Sequence, residues 1–263
     1  MGEASGSRKA EVAAVRRAIE LGYRLIDSAE MYGEGGAEEV VGQAIAEAVR
    51  AGDVERDQLF VVSKVYPHNA SRGGAVAACE RSLKRLALDH IDLYLLHWRG
   101  QHALADTIAA FEQLREGGRI HHWGVSNFDS NDMEELAKVA QGARCAANQV
   151  YYSLSQRGVE FDLLPRLRSR GVPLMAYCPI DQGALAGHGV LERIGLRHGV
   201  NAVQVALAWV LAQPGVMAIP KSVQEAHLRD NLAAAALALT AEDLTVLDRH
   251  FPPPKRKTGL AVQ

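Results

Sequence analysis

The sequence predicts an α/β fold in which parallel strands, joined by helical crossovers, close into a TIM-type barrel. Three observations lead there. Short β-rich runs alternate with amphipathic stretches along the whole chain, the pattern that builds parallel sheets. Nearly every run carries a polar residue at its end (Asp27, Lys64, His97, Ser126 with Asn127, Gln149, Tyr177, Lys221), as expected where strand ends ring one site; an open sheet would gather such groups at one switch point. No Pro/Gly-rich linker divides the chain and no repeat beyond the β/α unit is present, so residues 1–263 read as one domain.

Taken in order, apolar residues at helical spacing over 10–21 precede a first β run at 24–28, where Leu-Ile leads into Asp27. A helix over 37–50 leads to the run LFVVSK at 59–64, and a helix over 74–86 to IDLYLLH at 91–97. Residues 104–116 form the next helix, 122–127 the fourth run, and 132–140 another helix. Three further runs lie at 147–150, 173–178 and 216–221. The alanine-rich stretch 232–239 reads as a loop and turn before a final helix at 241–250, and Pro252 to Pro254 stop that helix ahead of a tail at 251–263. Lys255, Arg256 and Lys257 read as part of a solvated tail rather than a nuclear signal.

Composition narrows the function classes. The 263 residues are 48% hydrophobic with 29 Lys+Arg against 31 Asp+Glu, enough for a large core and without the basic stripe of a nucleic-acid binder. A small molecule is the expected partner. The three cysteines form no CxxC pair and sit in apolar segments, which argues for a reducing compartment. The N-terminus lacks the apolar run of a signal peptide and no stretch approaches 18 apolar residues, so a cytoplasmic protein without a membrane span is expected.

Asp27 and Tyr32 stand five apart in GYRLIDSAEMYG at 22–33, and Lys64 and His97 end the next two runs. Singly, each has a plainer reading, as a cap, a half-buried aromatic, a solvated strand end and a core histidine. At successive strand ends they resemble the catalytic tetrad of the aldo-keto reductases, whose Asp and Tyr lie in G-Y-x-x-I-D-[ST]-A-x-x-Y-G, with a Lys and a His ending the next two strands. The resemblance runs on through LFVVSK, IDLYLLHW, GRIHHWGVSNF, NQ at 148–149, MAYCP at 175–179 and IPKS at 219–222, covering essentially the whole chain.

The resemblance implies an NADPH-dependent oxidoreductase that reduces a small aldehyde or ketone. A carbonyl takes a hydride on carbon and a proton on oxygen, and a tyrosine with a pKa near ~10 is a poor acid at neutral pH. An ammonium beside it favours the phenolate, so Lys64 would tune Tyr32, Asp27 would hold Lys64 charged, and His97 would fix the carbonyl oxygen. By the same resemblance Ser126, Asn127 and Gln149 hold the nicotinamide carboxamide, Tyr177 stacks on its ring, and Trp98 lines the substrate pocket. Lys221 and Ser222 match the 2′-phosphate site, and Asp230 and Asn231 the adenine contacts. His227 stands where many members carry an arginine, so discrimination against NADH is expected to be weaker. There is no GxGxxG fingerprint. His121 and His122, adjacent on one strand, face opposite ways and cannot clamp one ion, so no metal site is expected.

Family members begin with a hairpin and a first barrel strand, whereas this sequence starts about where the loop after that strand would lie. Seven of the eight strands of a (β/α)8 barrel are therefore expected. A missing strand removes roughly three inward side chains worth ~1.5–3 kcal/mol each and leaves strand edges open. The alternative reading is an NADPH-binding, aldo-keto-reductase-like regulatory or inactive protein.

Overall fold

The structure is a computed structural model describing residues 1–3 and 7–262; residues 4–6 and Gln263, the last residue of the expected tail, lie outside the described residues. Two compact units share the chain. The first comprises Met1–Ser126, Asn131–Ala146 and Ser222–Glu225, and the second Asn127–Ser130, Ala147–Lys221 and Ala226–Gln263.

In the first unit α1 (Arg8–Leu21), β1 (Leu25–Asp27), α2 (Gly36–Ala51), β2 (Phe60–Val65), α3 (Arg72–Leu86), β3 (Ile91–Leu96), α4 (Leu104–Glu116) and β4 (Ile120–Ser126) alternate. The strands pair in parallel in chain order, with Asp27 opposite Val62, Lys64 opposite Leu95 and Leu93 opposite His122. Each helix forms because one face is apolar at helical spacing. In α1, Val12, Val15 and Ile19 are buried, and the helix stops at Gly22, whose φ of 109° lets its N–H reach back to the last carbonyls. In α2, Val40, Val41, Ala44, Ile45 and Ala48 are buried, at about 1.5–3 kcal/mol for each of the larger side chains. A Cβ on Gly42 would lie 2.3 Å from the Leu86 carbonyl oxygen, so only glycine lets α2 approach α3 this closely. Buried carboxylates are paired, as their desolvation requires. Glu38 accepts from Ser63 Oγ at 2.5 Å and Arg85 Nε at 2.6 Å, and Glu112 accepts from Trp123 Nε1 at 2.7 Å. The helix α5 (Ser130–Lys138) follows β4.

The second unit holds β5 (Asn148–Tyr151), α6 (Leu163–Ser169), β6 (Leu174–Tyr177), α7 (Gly189–His198), α8 (Ala202–Leu211), β7 (Val216–Ala218), all but the first residue of α9 (Glu225–Ala233), and α10 (Ala241–His250). Its strands are also parallel, with Asn148 opposite Leu174 and Ala176 opposite Ala218. No single helix among the described residues is long and apolar enough to cross a membrane.

All seven expected runs are strands, and the expected helices are present. The run at 216–221 stops at Ala218, ahead of Pro220, which has no N–H to give a ladder. Four helices, α6 to α9, were not marked by periodicity. In α8 nearly every residue is buried, so it carries no polar face to set a period. Part of the alanine-rich stretch expected as loop is helical, with Leu232 and Ala233 closing α9 before a turn at Ala234–Ala236, in keeping with alanine's propensity. Lys255, Arg256 and Lys257 are exposed, as a solvated tail requires, and the tail is anchored at two points. Lys257 Nζ lies 3.2 Å from Asp162 and 3.8 Å from Asp129, and Thr258 Oγ1 sits against Gly158.

Asp243 ties the end of α7 to the start of α10. It closes a capping box with Thr240, accepts from His198 Nε2 at 2.7 Å and pairs with Arg197. Burial alone would raise its pKa, but the His198 contact, the Thr240 backbone N–H and Arg197 hold the carboxyl well below the usual range. A depressed carboxylate adds stability that is present above about pH 4 and lost as pH falls through its folded value. Asp243→Asn should therefore lower the calorimetric midpoint at pH 7 by several degrees, about 1–3 kcal/mol for a buried charged acceptor, with the gap closing in acid. Equal midpoints at pH 7 would contradict this role.

Candidate active site

Three strands of the first unit deliver the chemistry. Asp27 is the last residue of β1, Tyr32 opens the turn that follows, Lys64 lies next to last in β2, and His97 follows β3 directly. Because Asp27 pairs with Val62, and side chains alternate along a strand, Asp27 and Lys64 share a face. Lys64 is fully buried, and its ammonium reaches Asp27 Oδ2 at 2.6 Å, the Ser28 carbonyl at 2.8 Å and the Tyr32 hydroxyl oxygen at 3.2 Å. Those contacts use the three N–H donors of the ammonium. Burial alone pushes this group toward neutrality, but the Asp27 carboxylate and Tyr32 more than offset it and raise its pKa. The lysine is a fixed positive charge 4.8 Å from the centre of the Tyr32 ring.

His97 extends the β2–β3 ladder through its backbone, donating to the Val65 carbonyl at 3.1 Å, and its ring meets Tyr32 edge-on at 5.7 Å between centroids. Burial, helped by the Lys64 charge, drives its pKa down to about 3. The imidazole is therefore neutral at pH 7. It can offer a hydrogen bond but not a charge, which leaves Tyr32 beside a cation as the better proton donor.

Trp98, the expected pocket residue, is 36% exposed and packs at 4.9 Å on the His97 ring and edge-on at 6.0 Å to Tyr66. Met31 is also exposed. Tyr66 escaped the sequence reading although a signal was present, since it stands two residues after Lys64 and so leaves β2 on the same side. Glu30 was likewise missed. It is buried and accepts from the Tyr66 backbone N–H at 2.7 Å and from Asn69 Nδ2 at 3.0 Å, fixing the loop that carries Tyr66.

Ser126 closes β4 and is buried. In the second unit Asn127, Gln149 and Tyr177 come together. Asn127 takes a left-handed backbone, φ 57°, and its N–H donates to the Gln149 carbonyl at 2.9 Å, while its Oδ1 accepts from the Tyr177 hydroxyl at 2.8 Å. Asparagine tolerates that conformation better than most residues. A half-buried Asn127 amide bonded to an aromatic hydroxyl, with the buried Gln149 next to its backbone, suits a planar carboxamide-bearing ring. Lys221 is exposed, and Ser222 Oγ accepts from the Gln224 N–H at 3.1 Å in a local turn. His227 is exposed on α9, Asp230 accepts from Asn201 Nδ2 at 2.9 Å, and Asn231 is buried. Cationic and hydroxyl groups suit a phosphate.

Comparison with known proteins places the chain in a family. Residues 2–251 match the sequence profile of the Aldo/keto reductase family. The chain is similar to the methylglyoxal reductase YeaE of Escherichia coli (strain K12), 48% identical over 99% of this chain and 91% of that protein. It is also similar to the glyoxal reductase of Bacillus subtilis (strain 168), 38% identical over 89% of this chain and 81% of that one. The crystal structure of an aldo-keto reductase from Klebsiella pneumoniae in complex with NADPH superposes with a TM-score of 0.95 at 46% identity, over 100% of this chain and 92% of that one. The fold class is thus the β/α barrel that the strand pattern predicts, with seven parallel strands among the described residues.

The electrostatics of His97 can be checked directly. Its imidazole resonances should stay at their neutral positions from pH 8 to pH 5 in NMR spectra assigned with a His97→Gln variant. A titration near 6.5 would show that burial and Lys64 do not act on it as described.

Proposed function

The chain belongs to the aldo/keto reductase family, and from that premise we propose that it reduces small reactive aldehydes or ketones with NADPH, Tyr32 acting as general acid. The observation that carries the proposal is the buried Lys64 ammonium, bonded at once to Asp27 and to the Tyr32 oxygen. Since Lys64 donates to that oxygen, the hydroxyl hydrogen is directed elsewhere, toward an acceptor. A carbonyl oxygen at that place takes the proton as negative charge develops on it. The fixed ammonium then stabilises the phenolate left behind without reorganising. Asp27 keeps Lys64 charged and in place, and neutral His97 donates a hydrogen bond that holds the carbonyl oxygen toward Tyr32. Trp98, Tyr66 and Met31 offer apolar surface to the rest of a small substrate.

NADPH, when bound, supplies the hydride for the carbonyl carbon. The donor set fits it. Ser126, Asn127 and Gln149 suit the carboxamide, with the Asn127 amide oriented by Tyr177, whose ring suits the nicotinamide face. Lys221 and Ser222 would hold the 2′-phosphate, with Asp230 and Asn231 at the adenine. His227, in place of a guanidinium, weakens the preference over NADH. The names of the similar proteins, methylglyoxal and glyoxal reductases, put small 2-oxoaldehydes first among substrates to try.

Tyr32→Phe keeps the ring and removes the proton. In assays of NADPH oxidation against methylglyoxal and simple aldehydes, kcat should fall by about 100-fold or more while NADPH affinity, followed by fluorescence titration, is unchanged. Undiminished turnover in the variant would sink the general-acid role. NADPH binding by the unaltered chain with no reduction across the panel would favour the regulatory reading instead.

A further inference from the structure

At the opposite ends of the same strands lies a second group of chemically capable side chains. His90 immediately precedes β3 and Asp92 is its second residue, so with a period of two they leave the strand on one side. The register, Ile91 opposite Ile120 and Leu93 opposite His122, puts His121 of β4 beside Asp92. The two rings stack at 4.1 Å with an interplanar angle of 23°. His90 Nε2 lies 3.6 Å and His121 Nδ1 3.4 Å from the same oxygen, Asp92 Oδ1. One candidate ligand atom from each residue falls within 4.8 Å of the other two.

These distances are informative. They exceed the ~2.7–3.2 Å of a hydrogen bond, so two rings converge on one carboxylate oxygen without bonding to it. The two distances to Oδ1 lie near the separation of about 3.3 Å between neighbouring ligands of a tetrahedral ion with bonds of ~2.0–2.1 Å, and the stacked rings have to turn apart to aim their lone pairs at one ion. The other oxygen, Oδ2, is already engaged by the Val61 backbone N–H and by Arg56 Nη2, each at 2.8 Å. That leaves Oδ1 aimed at the imidazoles and orients the carboxylate as an outer-sphere partner does in metal sites. Asp92 is buried, whereas the His121 side chain is 51% exposed, so the group has both a dry anchor and a route of entry.

We propose that His90, Asp92 and His121 form a binding site for one divalent transition-metal ion of the Zn²⁺ class, with solvent completing the coordination. Two imidazoles and a carboxylate suit Zn²⁺, Co²⁺ or Ni²⁺ and disfavour Mg²⁺ or Ca²⁺, which take oxygen ligands. The Arg56 charge opposes a dication and keeps the affinity modest. The site is separate from the carbonyl-reducing chemistry, because His90 and His97 stand seven residues apart along an extended strand, roughly 20 Å. Its effect is structural, cross-linking the starts of β3 and β4. The expectation of no metal site considered His121 with His122; those two do face opposite ways, and the partners of His121 come instead from the neighbouring strand.

The test uses the full chain, stripped with chelator and titrated calorimetrically with Zn²⁺ alone. The variants are His121→Asn, at an exposed position, and His90→Ala, and unchanged carbonyl reduction shows that both are folded. One equivalent should bind the unaltered chain at least tenfold more tightly than either variant, and excess Zn²⁺ should raise only its thermal midpoint, by several degrees. Equal affinity and stoichiometry in the variants, or no binding by the unaltered chain, would overturn the proposal.

Discussion

The burial of one ammonium, that of Lys64, is the constraint on which the rest of the structure turns. A lone charge removed from water costs several kcal/mol, so Lys64 is tolerable inside the protein only because its donors find partners. Asp27 comes from β1, the Ser28 carbonyl from the residue after it, and Tyr32 from the turn beyond. Each depends on the β1–β2 register. A slip of one residue would turn Asp27 to the other face and leave the charge unpaired, so the energetic demand of the lysine and the specification of the fold are one requirement. The same charge, with burial, keeps His97 neutral, the condition that the proposed division between a proton-giving Tyr32 and a directing histidine requires.

How much of this could be read from the chain follows from the range of the interactions. Strands and amphipathic helices were visible because their signals are local and periodic, and Asp27, Lys64 and His97 because each sits at a strand end, with Tyr32 in the turn just beyond, in a recognisable string. Asn127, Gln149 and Tyr177 do meet, through contacts of the Asn127 backbone and side chain. What stayed hidden lacked a period or needed a register. The helix α8 is apolar almost all round, and Lys257 is held by Asp162, far away in sequence. Glu30 looks like any acidic loop residue until the Tyr66 backbone is placed above it.

The group at His90, Asp92 and His121 shows the limit of the linear view most clearly. Two adjacent histidines draw attention and cannot act together, while the pair that can is separated by 31 positions and brought together by parallel pairing of β3 with β4. Strands in this arrangement have two functional ends. Their C-terminal ends present Asp27, Lys64 and His97, and their N-terminal ends can carry groups that strengthen the sheet.

The central claim is that the Lys64 charge, held by Asp27, sets the proton chemistry of Tyr32. The pH dependence of kcat/KM for Lys64→Met beside the unaltered chain tests it most directly, with circular dichroism showing that the variant is folded. Loss of the ammonium should cut turnover by about 100-fold or more and move the alkaline limb governed by Tyr32 to higher pH. A variant that keeps both the rate and the position of that limb would show that Tyr32 acts without Lys64, and the account would be wrong at its centre.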